Sequence, residues 1–152
     1  MPSKRWWVAA ESHQVHPRLT HHRYLHPPLA GSLRLYSYGP CGTCRKALVW
    51  LAEQGISAEV FDITRTPPSR HELEEALKQL GSRARLLNTS GQRYRALGAA
   101  RVAAMDDGAA LDALAADGML IKRPFLITAQ GRIVTGFRPL EWQSLLRPPE
   151  VE

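Results

Sequence analysis

"LRLYSYGPCGTCRKALVWLAEQGISAEVFDI", residues 33–63, decides the fold. Its first seven residues alternate apolar and polar and run into Gly39-Pro40, the pattern of a strand closing into a turn. Residues 43–55 place Ala47, Leu48, Trp50 and Leu51 at helical spacing and end on Gly55, a natural C-cap. Residues 57–63 read as a second strand. Together they predict a β-α-β unit whose strands are parallel and whose crossover is right-handed.

The rest of the chain extends this unit. Residues 66–81 predict a helix, because Ser69 stands three residues before Glu72 in a capping-box arrangement and Gly81 ends the apolar period. Two weaker helical pieces follow, "RYRALGAARVAA" (93–104) and "GAALDALAADG" (108–118). "RPFLITAQGRIVTGF" (123–137) reads as a β-hairpin turning at Ala129-Gln130-Gly131. A short helix beginning at Pro139 closes the domain. The order β-α-β, helical insert, β-β-α predicts an α/β protein with a mixed four-stranded, thioredoxin-like sheet, in one domain over 33–147.

Composition narrows the setting. The chain has 152 residues, enough for one domain with a real core, and is 44% hydrophobic and 22% charged. No apolar stretch approaches the roughly 20 residues needed to span a bilayer, so no membrane association is expected. The N-terminus shows no signal-peptide pattern, and two cysteines cannot build a secreted disulfide framework. These features point to the cytoplasm. Of the formal charge of +6, half falls in residues 1–32, where Lys4, Arg5, Arg18 and Arg23 face Glu11 alone. No Lys/Arg stripe suited to duplex DNA is present, so direct DNA binding is not expected.

Residues 1–32 differ in texture. They hold five of the six histidines, with Pro17, Pro27 and Pro28, and no period of 2 or 3.6. They read as a disordered basic arm, or as translation from an upstream start. A metal-binding arm and a transit peptide are further readings, although the histidine spacings match no standard site and little amphipathic helix is present. Residues 148–152 read as a short tail.

The chemistry lies in Cys41-Gly42-Thr43-Cys44, which contains both cysteines. Cys41 falls at the strand-to-helix junction, where unpaired backbone N–H groups and the positive end of the helix dipole stabilise an anion. A thiolate there is acidic and nucleophilic at neutral pH. Gly42 is expected to let the backbone approach the sulfur, and Arg45 and Lys46 to add positive potential. Cys44, one turn on, is placed to attack a species bonded to Cys41 and close a Cys41–Cys44 disulfide. The competing readings are two small core fillers, or half of a zinc site lacking a second Cys or His pair downstream; no metal is expected.

Five blocks carry a resemblance: "CGTCRKAL" (41–48), "PPSRHEL" (67–73), "LLNTSGQRYRALG" (86–98), "DGMLIKRPF" (117–125) and "GF" (136–137). In this order they resemble the arsenate reductase-like (ArsC/Spx) family, a thioredoxin-fold group containing glutaredoxin-coupled arsenate reductases and Spx transcription regulators. The likeness is strongest to the branch marked by "NTSG" and "DGMLIKRP". The resemblance implies that Cys41 attacks the oxidised substrate, that Pro124 is a cis proline beside it, and that three arginines hold an oxyanion. Arg123 matches one of the three, and Arg138 is assigned to another. Asn88 replaces the remaining one, and either donates a neutral hydrogen bond to the substrate or serves the turn before Gly91. Losing one guanidinium contact, about 1.5–3 kcal/mol, implies arsenate affinity lower by one to two orders of magnitude.

Cys44 is a further departure, because the glutaredoxin-coupled reductases usually carry Ser there and Spx regulators carry Cys. The resemblance therefore implies a thiol oxidoreductase acting on an arsenic oxyanion or a disulfide, with no bound cofactor. Glutathione, glutaredoxin or thioredoxin would be its reductant. The alternative is a redox-sensing regulator that binds the RNA polymerase α subunit through a Cys41–Cys44 switch.

Overall fold

A computed structural model describes residues 32–147. The arm assigned to 1–32, apart from Ser32, and the tail assigned to 148–152 lie outside the described residues. Strand β1 (Arg34–Ser37) leads into helix α1 (Gly42–Glu53), and β2 (Glu59–Asp62) pairs parallel with β1. Both strands are shorter than their apolar patterns, because Tyr38-Gly39-Pro40 and Thr64-Arg65-Thr66 bend away from the ladder. At the end of α1, Gly55 takes φ +68 and Ile56 N–H returns to the Leu51 carbonyl at 2.9 Å, as a left-handed helix terminus allows.

Helix α2 (Arg70–Leu80) starts later than its period suggests, since Pro67-Pro68 precede it and Ser69 caps it. Both halves of the capping box are present: Ser69 Oγ accepts from the Glu72 N–H and Glu72 Oε1 accepts from the Ser69 N–H. Glu72 also ties the helix to the sheet. It forms an ion pair with Arg34 at 2.5 Å and accepts from the Tyr36 hydroxyl at 3.2 Å.

The insert holds α3 (Gln92–Leu97), α4 (Ala99–Ala104) and α5 (Asp107–Ala116). The single piece expected over 93–104 breaks in two because Gly98 takes φ +92 and caps both halves. Asp106 caps α5 by accepting from the Ala109 N–H at 2.7 Å. Strands β3 (Phe125–Ile127) and β4 (Ile133–Thr135) form the predicted hairpin, closed by Thr128 N–H to the Arg132 carbonyl at 2.8 Å. Helix α6 (Pro139–Leu146) ends the described chain.

The sheet order is β2-β1-β3-β4, with β3 antiparallel to both neighbours. This is the mixed four-stranded α/β architecture of the thioredoxin-like fold. The period-2 alternation divides the core. Leu35, Leu126 and Val134 face α1 and α6 and pack with Ala47, Leu51 and Trp142. Tyr36, Phe61, Phe125, Ile127 and Ile133 face α2 and α5 and pack with Leu73, Ala76, Leu111 and Leu114. Among the described residues no helix is long and apolar enough to cross a membrane.

Gly118 is a tight point between layers. A Cβ there would stand 1.9 Å from the Ile63 carbonyl oxygen, so only glycine lets this 3-10 turn (Gly118–Leu120) approach the end of β2. Residues 86–88 then pair with 120–122 through the Leu87–Ile121 bridge and the Lys122 N–H to Leu86 carbonyl bond at 2.7 Å. That pairing carries the chain into Arg123-Pro124 at the head of β3.

Candidate active site around Cys41

Cys41 is the N-cap of α1, with extended backbone (φ −77, ψ 118) and its N–H donated to the Tyr38 carbonyl at 3.0 Å. Its carbonyl accepts the first intrahelical bond from Arg45 at 3.1 Å, so the thiol stands at the open end of the helix. No acidic residue occupies the first turn, which leaves the positive end of the dipole unneutralised. Partial burial pushes the Cys41 thiol up. The Cys44 backbone N–H, the Cys44 side chain and the Arg123 guanidinium outweigh it, and the thiol ends below its ordinary value.

Cys44 behaves in the opposite way. It is fully buried on the inner side of α1, and burial pushes its thiol up to about 11, with the neighbouring Cys41 adding to the rise. The Tyr38 backbone and the Ser37 side chain work against that shift without cancelling it. Both cysteines are free thiols in this state. One is acidic and partly exposed, the other near and protonated. That difference distinguishes an attacking thiol from a resolving one.

Arg123 reaches this thiol from the other end of the chain. The Arg123–Pro124 peptide bond is cis, and the guanidinium acts on the Cys41 sulfur both by charge and by a hydrogen bond. It lies over the Tyr38 ring, 4.9 Å from the centroid. Its Nε and Nη1 are buried without a hydrogen-bond partner among the described residues. Buried guanidinium donors are costly to leave unpaired, so their position beside a nucleophile points to a polar atom of a ligand as their partner. Asp117, six residues before Arg123 in sequence, pairs with Arg93 at 3.5 Å.

The other candidates separate. Pro124 is fully buried. Thr43 sits exposed in the first turn of α1. Gly42 is also exposed, and a Cβ there would meet nothing closer than Arg45 Nη2 at 3.9 Å.

Asn88 serves its turn. Its N–H donates to the Leu120 carbonyl, its carbonyl accepts from Gly91, and its Oδ1 accepts from Ser90 Oγ at 3.3 Å. None of these bonds goes to Cys41 or Arg123. Arg138 caps α6 and pairs with Glu141 at 3.2 Å, its side chain 64% exposed. Of these three candidates, Arg123 acts on the Cys41 sulfur.

Two contributors escaped the sequence reading. Tyr38 supplies both the platform for Arg123 and the acceptor for the Cys41 N–H, and Ser37 faces Cys44. The only signal for either was adjacency to the Gly-Pro-Cys turn. Arg45 goes beyond its expected charge effect, folding back so that Nη1 donates to the Gly39 carbonyl at 3.1 Å. Among the described residues no group of three His, Cys, Asp or Glu side chains could hold a metal ion.

Known proteins share this sequence pattern and fold. Residues 36–145 match the ArsC family. The chain is 41% identical to the uncharacterised protein YusI of Bacillus subtilis over 115 residues, covering 74% of this chain and 97% of that one. It is 33% identical to an arsenate reductase of Neisseria meningitidis serogroup A over 111 residues, covering 72% and 92%. A crystal structure of a possible arsenate reductase from Streptococcus mutans superposes with a TM-score of 0.66 at 38% identity, covering 71% and 92%.

Proposed function

The chain belongs to the ArsC family, and from that premise we propose that it is a thiol-dependent oxidoreductase of arsenate reductase type, with Cys41 as nucleophile and Cys44 as resolving thiol. The carrying observation is the opposed acidity of two adjacent thiols beneath a guanidinium with two unpaired buried donors.

With an arsenic oxyanion, the Cys41 sulfur bonds to As(V) and a hydroxyl leaves as water. Nε and Nη1 of Arg123 take the substrate oxygens, and the helix N-terminus offsets their charge. Cys44 then loses its proton and attacks the Cys41 sulfur. The S–As bond breaks with its electron pair on arsenic, releasing As(III) and leaving a Cys41–Cys44 disulfide. With a disulfide substrate, Cys41 displaces one thiolate and Cys44 displaces the other. Either cycle ends in the same oxidised protein, which glutathione, glutaredoxin or thioredoxin reduces in the cytoplasm.

The test is NADPH oxidation coupled through glutathione reductase and a glutaredoxin. Arsenate-dependent consumption that disappears in Cys41→Ser supports the reading. Absence of turnover, together with no Cys41–Cys44 disulfide after arsenate or disulfide exposure, overturns it.

A second reading draws on the same Cys41–Cys44 contact: a redox-sensing regulator whose disulfide alters binding to the RNA polymerase α subunit. Pull-down with the C-terminal domain of that subunit, by reduced and oxidised protein, tests it. Equal or no capture in the two states removes this reading.

A further inference from the structure

Leu35 and Ser37 of β1, with Leu33 just before it, project to one side of the sheet, since side chains in a strand alternate. Leu33 and Leu35 pack with Ala47 and Leu51 of α1. Ser37 breaks this apolar row, yet it is only 5% exposed. Opposite the row, the inward residues of α1 are Cys44, Ala47 and Leu51. Ala47 and Leu51 meet Leu35, and Cys44, one turn nearer the helix start, meets Ser37.

A buried hydroxyl is destabilising unless it is bonded, whereas alanine or valine would continue the row without that cost. The Ser37 hydroxyl bonds to the Cys44 sulfur, beside the backbone N–H of Tyr38. The Ser37 carbonyl is engaged elsewhere, accepting from the Ile63 N–H at 2.9 Å. The end of β1 thus aims a hydroxyl and an N–H at one buried sulfur.

Those donors matter at one stage of the cycle. Burial is the main cause holding the Cys44 thiol at about 11, and Cys41 adds to the rise. Once Cys41 is bonded to its substrate it carries no charge, and burial remains as the obstacle to a second thiolate. Arg123, at the head of β3, acts on Cys41 and so serves the first step. Cys41 of α1 and Tyr38 and Ser37 of β1 act on Cys44. Of the two donors, the Ser37 hydroxyl is the one a substitution can remove.

We propose that Ser37 is a further catalytic residue, its hydroxyl stabilising the Cys44 sulfur while that sulfur attacks Cys41. The inference rests on the resolving role proposed for Cys44 and names the group that makes that role workable in a buried position. In this step Cys44 gives its proton to water, and its sulfur bonds to the Cys41 sulfur. The bond from Cys41 to the substrate breaks, with its electron pair on the departing sulfur or arsenic. Ser37 keeps its own proton throughout.

The experiment mixes the reduced full chain with one equivalent of dithiobis(nitrobenzoate), a disulfide that yields a coloured thiolate at each displacement. The first release follows attack by Cys41, and the second follows displacement by Cys44. Ser37→Val and Ser37→Thr add nearly the same bulk and differ in the hydroxyl. Ser37→Val should leave the first phase within about twofold and slow the second about tenfold at neutral pH, the loss of one hydrogen bond to a charged group. Its second phase should also need a higher pH to reach half its maximum rate. Ser37→Thr should restore both toward wild type. Ser37→Ala, which removes the hydroxyl without adding bulk, should match Ser37→Val.

Equal second phases in Ser37→Val and Ser37→Thr overturn the proposal, because the hydroxyl then contributes nothing. An equal fall in both phases also overturns it, as the mark of a disturbed Cys41. Either result leaves the proposed function standing. A second phase that survives in Cys44→Ser, or is missing from wild type, removes Cys44 as the resolving thiol and this inference with it.

Discussion

Replacing Arg123 with alanine takes away a guanidinium that acts on the Cys41 sulfur. A hydrogen bond to a charged group contributes about 1.5–3 kcal/mol. Cys41 is only partly buried, so solvent screening favours the lower end of that range. Since about 1.4 kcal/mol is a factor of ten, oxyanion-dependent turnover should fall at least roughly tenfold, and the pH midpoint of Cys41 labelling by iodoacetamide should move up. Stability should move little, because two effects oppose each other. The variant loses a cation–π contact with Tyr38, worth about 0.5–1 kcal/mol, and is relieved of two buried donors that have no partner among the described residues. The assay pairs labelling kinetics and coupled turnover with a thermal melt of the same preparation. Unchanged labelling and turnover would refute the reasoning, as would a loss of activity explained by a melting temperature lower by more than a few degrees.

Three further outcomes follow from the geometry. Cys44→Ser should still be attacked at Cys41 but stall as a one-to-one mixed disulfide, visible by mass spectrometry; release at the wild-type rate would show that Cys44 does not resolve it. Labelling of Cys41 should rise with pH through a midpoint below that of an ordinary thiol, because its folded-state acidity is increased, while Cys44 stays silent until near its own value of about 11. A first rise assigned to Cys44 by peptide mapping would reverse the roles. Gly118→Ala should destabilise the protein by about 1–3 kcal/mol or more, since its Cβ meets the Ile63 backbone. A denaturant midpoint equal to wild type would show that the 3-10 turn yields.

Local signals in the chain were sufficient for most of the elements. Ser69 and Glu72 form the capping box they spell, Gly81 takes φ +75 as a helix stop, and Pro139 opens α6. Each depends on interactions within a few residues, which a linear sequence displays directly. The nucleophile was legible for the same reason, since Cys41 and Cys44 differ only by their places on one helical turn. The split at Gly98 was missed because a glycine inside an apolar period reads equally as a weak helical position or a break.

Tertiary structure decided the surroundings of that nucleophile. The blocks offered Arg123, Arg138 and Asn88, the last with a turn role also open to it; of these, Arg123 acts on the Cys41 sulfur, carried there by β3 lying antiparallel beside β1. Arg138 turns to Glu141, and Asn88 is held by Gly91, Ser90 and the Leu120 carbonyl. Sequence alone determined which groups have reactive chemistry, because that is a property of residue type and local backbone. Which of them share a pocket depends on strand order and on which polar partner each long side chain meets first, and those contacts exist only once the layers have packed.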